Sequence, residues 1–183
     1  MAFSAVVDRD IISPFLAFTF LFFLATPVVA QDYNKGVEAY ERGNFPAALQ
    51  EWLPLAKRGK ASAQFNLCQM YFLGRGVSQN YAEALNWCTL AADQGNAKAQ
   101  NTIGRMYDTG RGLEQNFTRA YMWYALAVEQ ANRLQPNMNV GRFARDARAA
   151  RDSVARRMTP EQIAEAQDLA REWMANQGLS TED

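Results

Sequence analysis

The ten residues YFLGRGVSQN at positions 71–80 return as YDTGRGLEQN at 107–116. This period of 36 residues constrains the fold more than composition does, because self-similarity at such spacing means one supersecondary unit used several times. Ala63, Tyr71, Gly74, Gly76, Gln79, Asn80, Ala84 and Trp87 recur as Ala99, Tyr107, Gly110, Gly112, Gln115, Asn116, Ala120 and Trp123. The second half of the unit also extends one period upstream, in the columns Phe45/Tyr81/Phe117, Ala48/Ala84/Ala120 and Gly59/Gly95/Ala131. Before Phe45 the match shifts by five residues, so the first unit joins its helices through the short ERGNF.

Within each unit the apolar spacing is helical. Phe65, Leu67, Met70 and Tyr71, then Ala84, Leu85, Cys88, Ala91 and Ala92, mark two amphipathic segments divided by a loop with two glycines. Asn80 and Asn116 stand where N-caps belong, and Gly95 where a C-cap belongs. A pair of short helices cannot bury its apolar faces alone, so each pair must stack on the next. The product is an all-α solenoid.

A glycine loop that occurs twice also raises the question of phosphate binding. A phosphate loop needs a strand before it, a helix directly after it and a closing Lys-Ser or Lys-Thr. These loops follow a helix and have no such ending, so Gly74/Gly76 and Gly110/Gly112 are read as helix terminators and positive-φ turn residues, with Arg75 and Arg111 at the loop tips in solvent.

The segment 63–84, and more loosely 99–120, resembles the Sel-one-like repeats, a tetratricopeptide-like class, and the resemblance covers about residues 32–131. It implies a right-handed α-solenoid of antiparallel helix pairs that binds other proteins. The run 161–173 resembles the closing helix of bacterial members. The organisation read from these features is an abbreviated first repeat at 31–60, repeats at 61–96 and 97–132, and C-terminal capping helices at 133–183. Two departures stand out: Cys68 fills the small-residue column of Gly104, and the first unit lacks the glycine loop.

The tail carries Arg142, Arg145, Arg148, Arg151, Arg156 and Arg157, then Glu161, Glu165, Asp168 and Glu172. Thr159 suits an N-cap and Pro160 a first helical turn. A basic helix folding back on an acidic one, with a polar outer face, is the expected cap. The alternative is that the arginines grip an anionic partner or a membrane surface.

Residues 1–30 read as an export signal. The run 11–30 is apolar and ends in Val28-Val29-Ala30, which suits cleavage before Gln31, although Asp8 and Asp10 flank Arg9 in place of a basic cluster. An uncleaved membrane anchor is the alternative. Removing this segment leaves 18 basic and 17 acidic side chains, a balance that points away from nucleic acid.

Cys68 lies mid-way along the first helix of its unit, and Cys88 lies four residues after Ala84 on the second. Some exported members of the resembling family join their paired helices at such positions. The pair is therefore either a disulfide or two small buried thiols.

The chain has no His, which removes the commonest general base and transition-metal ligand, and no Ser has Lys three positions on. The carboxylates Glu38, Glu41, Glu51, Glu83 and Asp108 are scattered without an evident acidic pair. Trp52, Trp87, Trp123 and Trp173 read as core or inter-repeat packing in preference to sugar platforms. No catalytic residue, cofactor or metal site is expected, and a cell-wall or penicillin-interacting hydrolase is the less favoured alternative.

In the resembling class the first helix of each unit lines a concave face. The face turned away from Leu67 and Tyr71 gives Asn34, Glu38 and Glu41, then Phe65, Gln69 and Phe72, then Asn101, Arg105 and Asp108. These are the candidate partner-binding residues, for an extended peptide or a partner helix. The bland alternative is that Phe65 and Phe72 pack against adjacent helices. The set does not reproduce the Lys/Asn clamp by which some tetratricopeptide proteins hold a terminal carboxylate. The expected partner is a protein in the cell envelope, in the periplasm of a bacterium, with the membrane involved only through an uncleaved N-terminal segment.

Overall fold

Asparagine caps the start of four helices, and a positive-φ glycine follows the end of six. The computed structural model describes residues 32–133 and 138–178, so the export-type segment lies outside the described residues. Among the described residues there are eight helices and no strand: α1 (Tyr33–Glu41), α2 (Phe45–Lys57), α3 (Ala61–Leu73), α4 (Tyr81–Ala92), α5 (Ala97–Thr109), α6 (Phe117–Arg133), α7 (Met138–Ala155) and α8 (Pro160–Asn176). None is long and apolar enough to cross a membrane. Asn44, Asn80, Asn96 and Asn116 each accept a backbone N–H from the first turn of the helix that follows, satisfying donors that a helix start leaves unpaired. Gly74 and Gly110 end α3 and α5 in the left-handed region, at φ 68° and 66°.

The paired glycines have separate duties. Gly74 and Gly110 terminate a helix, whereas Gly76 and Gly112 let the loop lie against the previous unit. A Cβ on Gly76 would sit 2.5 Å from Cβ of Phe45, and one on Gly112 would sit 2.1 Å from Cβ of Tyr81. Phe45 and Tyr81 begin α2 and α4, so each loop packs on the second helix of the unit before it. The loop is closed by an amide in the same column: Gln79 Nε2 donates to the Phe72 carbonyl at 2.9 Å, and Gln115 Nε2 to the Asp108 carbonyl at 2.6 Å.

Consecutive helices pack in sequence from α1 to α6, and the first helices α3 and α5 also touch directly. The closest approach within each pair recurs at one point. Gly36 of α1 lies beneath Trp52 of α2, where a Cβ would meet the indole at 2.2 Å; Gly104 of α5 lies beneath Tyr124 of α6, where it would meet the ring at 2.8 Å. In the middle unit Cys68 and Cys88 occupy this point and form a disulfide between α3 and α4. Trp52, Cys88 and Tyr124 are spaced by the full period, so Gly36 is the counterpart of Cys68. The register of the first unit is therefore shifted by four residues, not five, which matches its three-residue turn at 42–44 against the seven-residue loops at 74–80 and 110–116.

Units are glued by a buried glutamine in the first turn of α3 and of α5. Gln64 Nε2 donates to the Ala56 carbonyl at 3.1 Å, and Gln100 Nε2 to the Ala92 carbonyl at 3.3 Å, each capping the end of the preceding helix. The loop arginines are exposed, as expected from sequence, but each also lies against an aromatic ring. Arg75 donates to the Tyr40 hydroxyl at 2.7 Å and lies over the rings of Tyr40 and Phe45, while Arg111 lies 6.0 Å from the centre of the Phe72 ring.

The C-terminal pair also departs from expectation. The capping box at Thr159 and Gln162 forms, and α8 starts at Pro160 as anticipated. Yet α7 and α8 both pack on α6, and no ion pair joins them among the described residues. The reason is apolar. Trp173 stacks edge-on against Trp123 at 5.7 Å and, with Leu169, Ala170 and Met174, draws α8 toward the main core. Phe143 and Ala147 draw α7 toward Ala127 and Val128 on another side of α6. The two meet only near their turn, where Val154 and Met158 face Ile163 and Ala166. There Arg157 lies 4.4 Å from the centre of the Phe117 ring, so an arginine again covers the aromatic that starts the preceding second helix.

Candidate functional site

The first helices form one wall of the molecule, and between them runs a cleft of about 510 Å³. α1 supplies Tyr33, Val37, Tyr40 and Glu41, α3 supplies Phe65, Asn66 and Gln69, and α5 supplies Lys98. Trp52 of α2 forms the floor and is only 2% exposed. The aromatic walls are held in place before any ligand arrives. The Trp52 indole N–H donates to the Tyr33 carbonyl at 3.1 Å, and Asn66 Nδ2 donates to the Tyr33 hydroxyl at 3.3 Å. Tyr40 packs on Trp52 at 5.5 Å, and the Lys60 ammonium sits 4.3 Å from the centre of the Tyr33 ring. Gln69 Nε2 donates to Thr102 Oγ1 at 3.1 Å, whose own hydroxyl donates to the Lys98 carbonyl at 2.9 Å. Glu41 ends α1 and Lys98 begins α5, so the two outer helices of the cleft carry opposite charge.

Of the nine sequence candidates, Glu41, Phe65 and Gln69 line this cleft. Asn34 and Glu38 are exposed on another side of α1, where Glu38 accepts from Arg42 at 3.1 Å. Phe72 belongs to the core at 2% exposure; it packs edge-on against Tyr81 at 5.4 Å and lies beneath Arg105, whose guanidinium is 4.8 Å from the ring centre. The alternative of packing between helices thus describes Phe72, while Phe65 opens into the cleft. Asn101 is half-buried with its Oδ1 unpaired among the described residues. Asp108 accepts from Arg157 at 2.5 Å. Asp108 thereby ties the α7–α8 turn to α5, and behind it the Tyr124 phenol is pushed up to about 12, first by burial and then by the Asp108 carboxylate.

The lining residues that sequence reasoning missed are Tyr33, Val37, Tyr40, Trp52, Asn66 and Lys98. A signal for the first helix existed: Tyr33, Val37 and Tyr40 fall at i, i+4 and i+7, an apolar stripe one residue ahead of the polar stripe chosen. Among the described residues no group of three His, Cys, Asp or Glu is placed to hold a metal ion.

The family comparison agrees with this geometry. The Sel1 repeat model matches residues 61–96 and 97–132, which hold α3–α4 and α5–α6. The chain carries two Sel1 repeats. Sel1 repeats typically mediate protein–protein interaction, and their scaffold is generally non-enzymatic. Its fold is similar to that of c5321, a protective antigen of uropathogenic Escherichia coli strains that displays an SLR fold, with a TM-score of 0.67 and 24% sequence identity. That alignment covers 78% of this Sel1-repeat chain and 29% of c5321. A Sel1 repeat protein from Oxalobacter formigenes is 27% identical over 66% of this chain and 97% of that one, with a TM-score of 0.41. No curated protein matches the sequence.

Proposed function

We propose that this Sel1-repeat chain is an exported, non-enzymatic scaffold of the cell envelope that holds an extended segment of a partner protein in the cleft between α1, α3 and α5. The observation that carries the reading is the preformed aromatic cleft itself, with Phe65 at its wall and the amides of Asn66 and Gln69 beside it. Aromatic side chains fixed by their own hydrogen bonds give contact area at little entropic cost, and flanking amides can pair with a peptide backbone. The Cys68–Cys88 disulfide suits an oxidising compartment, in keeping with the apolar run at 11–30.

A photo-crosslinking residue at position 69 in intact cells should capture a partner, and the same residue at the outward Glu83 should not. Phe65→Ala should reduce capture from position 69. Equal capture from both positions, or capture indifferent to Phe65→Ala, would refute the cleft as the docking site. N-terminal sequencing of the mature chain should begin at Gln31; an intact N-terminus would favour a membrane-anchored adaptor with the same solenoid.

A further inference from the structure

We propose that the wedge between α7 and α8 is a second binding site, taking an acidic peptide segment of a partner protein that presents a bulky apolar side chain. Because α8 follows Trp173 to Trp123 while α7 follows Phe143 to Val128, the two helices diverge from their turn, and half-buried Ala125 and Glu129 of α6 lie between them. The opening is a cleft of about 350 Å³, within the usual range for ligand pockets of about 300–1,000 Å³. Its floor is Tyr121, Ala125, Leu126 and Val128 of α6. Its walls carry Arg148 and Arg151 on α7 and Arg171 on α8.

The acidic helix neutralises only one arginine of this cleft, Arg171, and leaves Arg148 without a carboxylate among the described residues. Glu161, Glu165, Asp168 and Glu172 are exposed, and of these Asp168 alone has an ion pair among the described residues, with Arg171 of its own helix. Arg151 is paired with the adjacent Asp152 and lies 5.9 Å from the centre of the Tyr121 ring. Glu129, the one acidic side chain in the lining, is already bound by Arg133 at 3.2 Å. Guanidinium groups are best satisfied by carboxylates, and an apolar floor by an aliphatic or aromatic side chain. The Asn132 amide also lines this cleft and can pair with a peptide backbone, while the Gln167 amide there already donates to the Tyr121 hydroxyl at 3.4 Å. The site shares no residue with the cleft on the first helices, so the two proposals stand or fall separately.

The test uses a fluorescent peptide, Asp-Phe-Leu-Asp blocked at both ends, and the purified mature chain in a fluorescence anisotropy titration. The acidic peptide should bind at least about tenfold more tightly than either Lys-Phe-Leu-Lys or Asp-Ser-Ser-Asp. Arg148→Glu should weaken it by about tenfold or more, and Phe65→Ala should leave it unchanged. Arg148 is exposed, so an unaltered melting temperature verifies that the variant folds. Three outcomes would overturn the proposal: no binding of the acidic peptide, binding equal to that of the controls, or binding insensitive to Arg148→Glu. Displacement of the peptide by decanoate at equal concentration would also overturn it, in favour of a lipid-like anion.

Discussion

Gly112→Val lowers the stability of the folded chain by about 3–5 kcal/mol, read as a fall in melting temperature of roughly 10 °C or more for a domain of this size. Two costs combine. At φ 79° a side chain pays for the left-handed region, about 1–2 kcal/mol for an ordinary residue and more for a β-branched one. Its Cβ would also fall 2.1 Å from Cβ of Tyr81, so the loop must lift from α4, at a cost of about 1–3 kcal/mol for the overpacked contact. Two further variants separate these terms. Gly110→Ala keeps a positive φ of 66° but meets nothing closer than 3.5 Å, so it should cost about 1–2 kcal/mol. Gly141→Ala, inside α7 with open space around it, should be neutral or stabilising by up to about 1 kcal/mol. Thermal melts followed by far-UV circular dichroism rank the three. If Gly112→Val costs no more than Gly110→Ala, the loop does not pack on the previous unit as described.

That ranking explains why so much of the scaffold was legible in the sequence. Positive-φ glycines and N-capping asparagines are demanded by single backbone positions, so they repeat with the unit and announce its period. The first unit was harder to register because it has no glycine loop. Its alignment is fixed by the contact of Gly36 with Trp52, a tertiary fact that the sequence shows only as an unremarkable glycine in a helix. The candidate site suffered for the same reason. Phe72 and Phe65 lie seven residues apart on one helix, and nothing local separates them; what buries Phe72 is Tyr81 with two arginines of the next unit. Likewise the arginines and carboxylates of the tail are near neighbours in sequence and invite pairing. The directions of α7 and α8 are set instead by Phe143 and Trp173, whose partners on α6 are known only once the core is assembled.

Reducing the Cys68–Cys88 disulfide should cost about 3 kcal/mol, the loop-closure value for a crosslink spanning a separation of this length. The effect should also be local, because of where the bond sits. In the outer units the same point is filled by an aromatic ring over glycine, Trp52 on Gly36 and Tyr124 on Gly104, each ring at most 3% exposed. Such burial contributes about 1.5–3 kcal/mol per side chain. The middle unit has two small side chains there, so without the covalent bond its helix pair has the least holding it together. Since stability in a stacked array is a sum of unit and neighbour terms, loosening the middle unit also uncouples the first from the third. Hydrogen exchange in the presence of reductant should therefore accelerate in α1–α4 more than in α5 and α6, alongside a lower urea midpoint. A double variant supplies the decisive comparison. Cys68→Gly with Cys88→Tyr copies the third unit into the second, and it should recover a large part of the lost stability and be indifferent to reductant. Cys68→Ser with Cys88→Ser, lacking both bond and ring, should stay as weak as the reduced protein. If the Gly/Tyr pair is no better than the Ser/Ser pair, the disulfide is not standing in for an aromatic contact and the three units do not share one packing point.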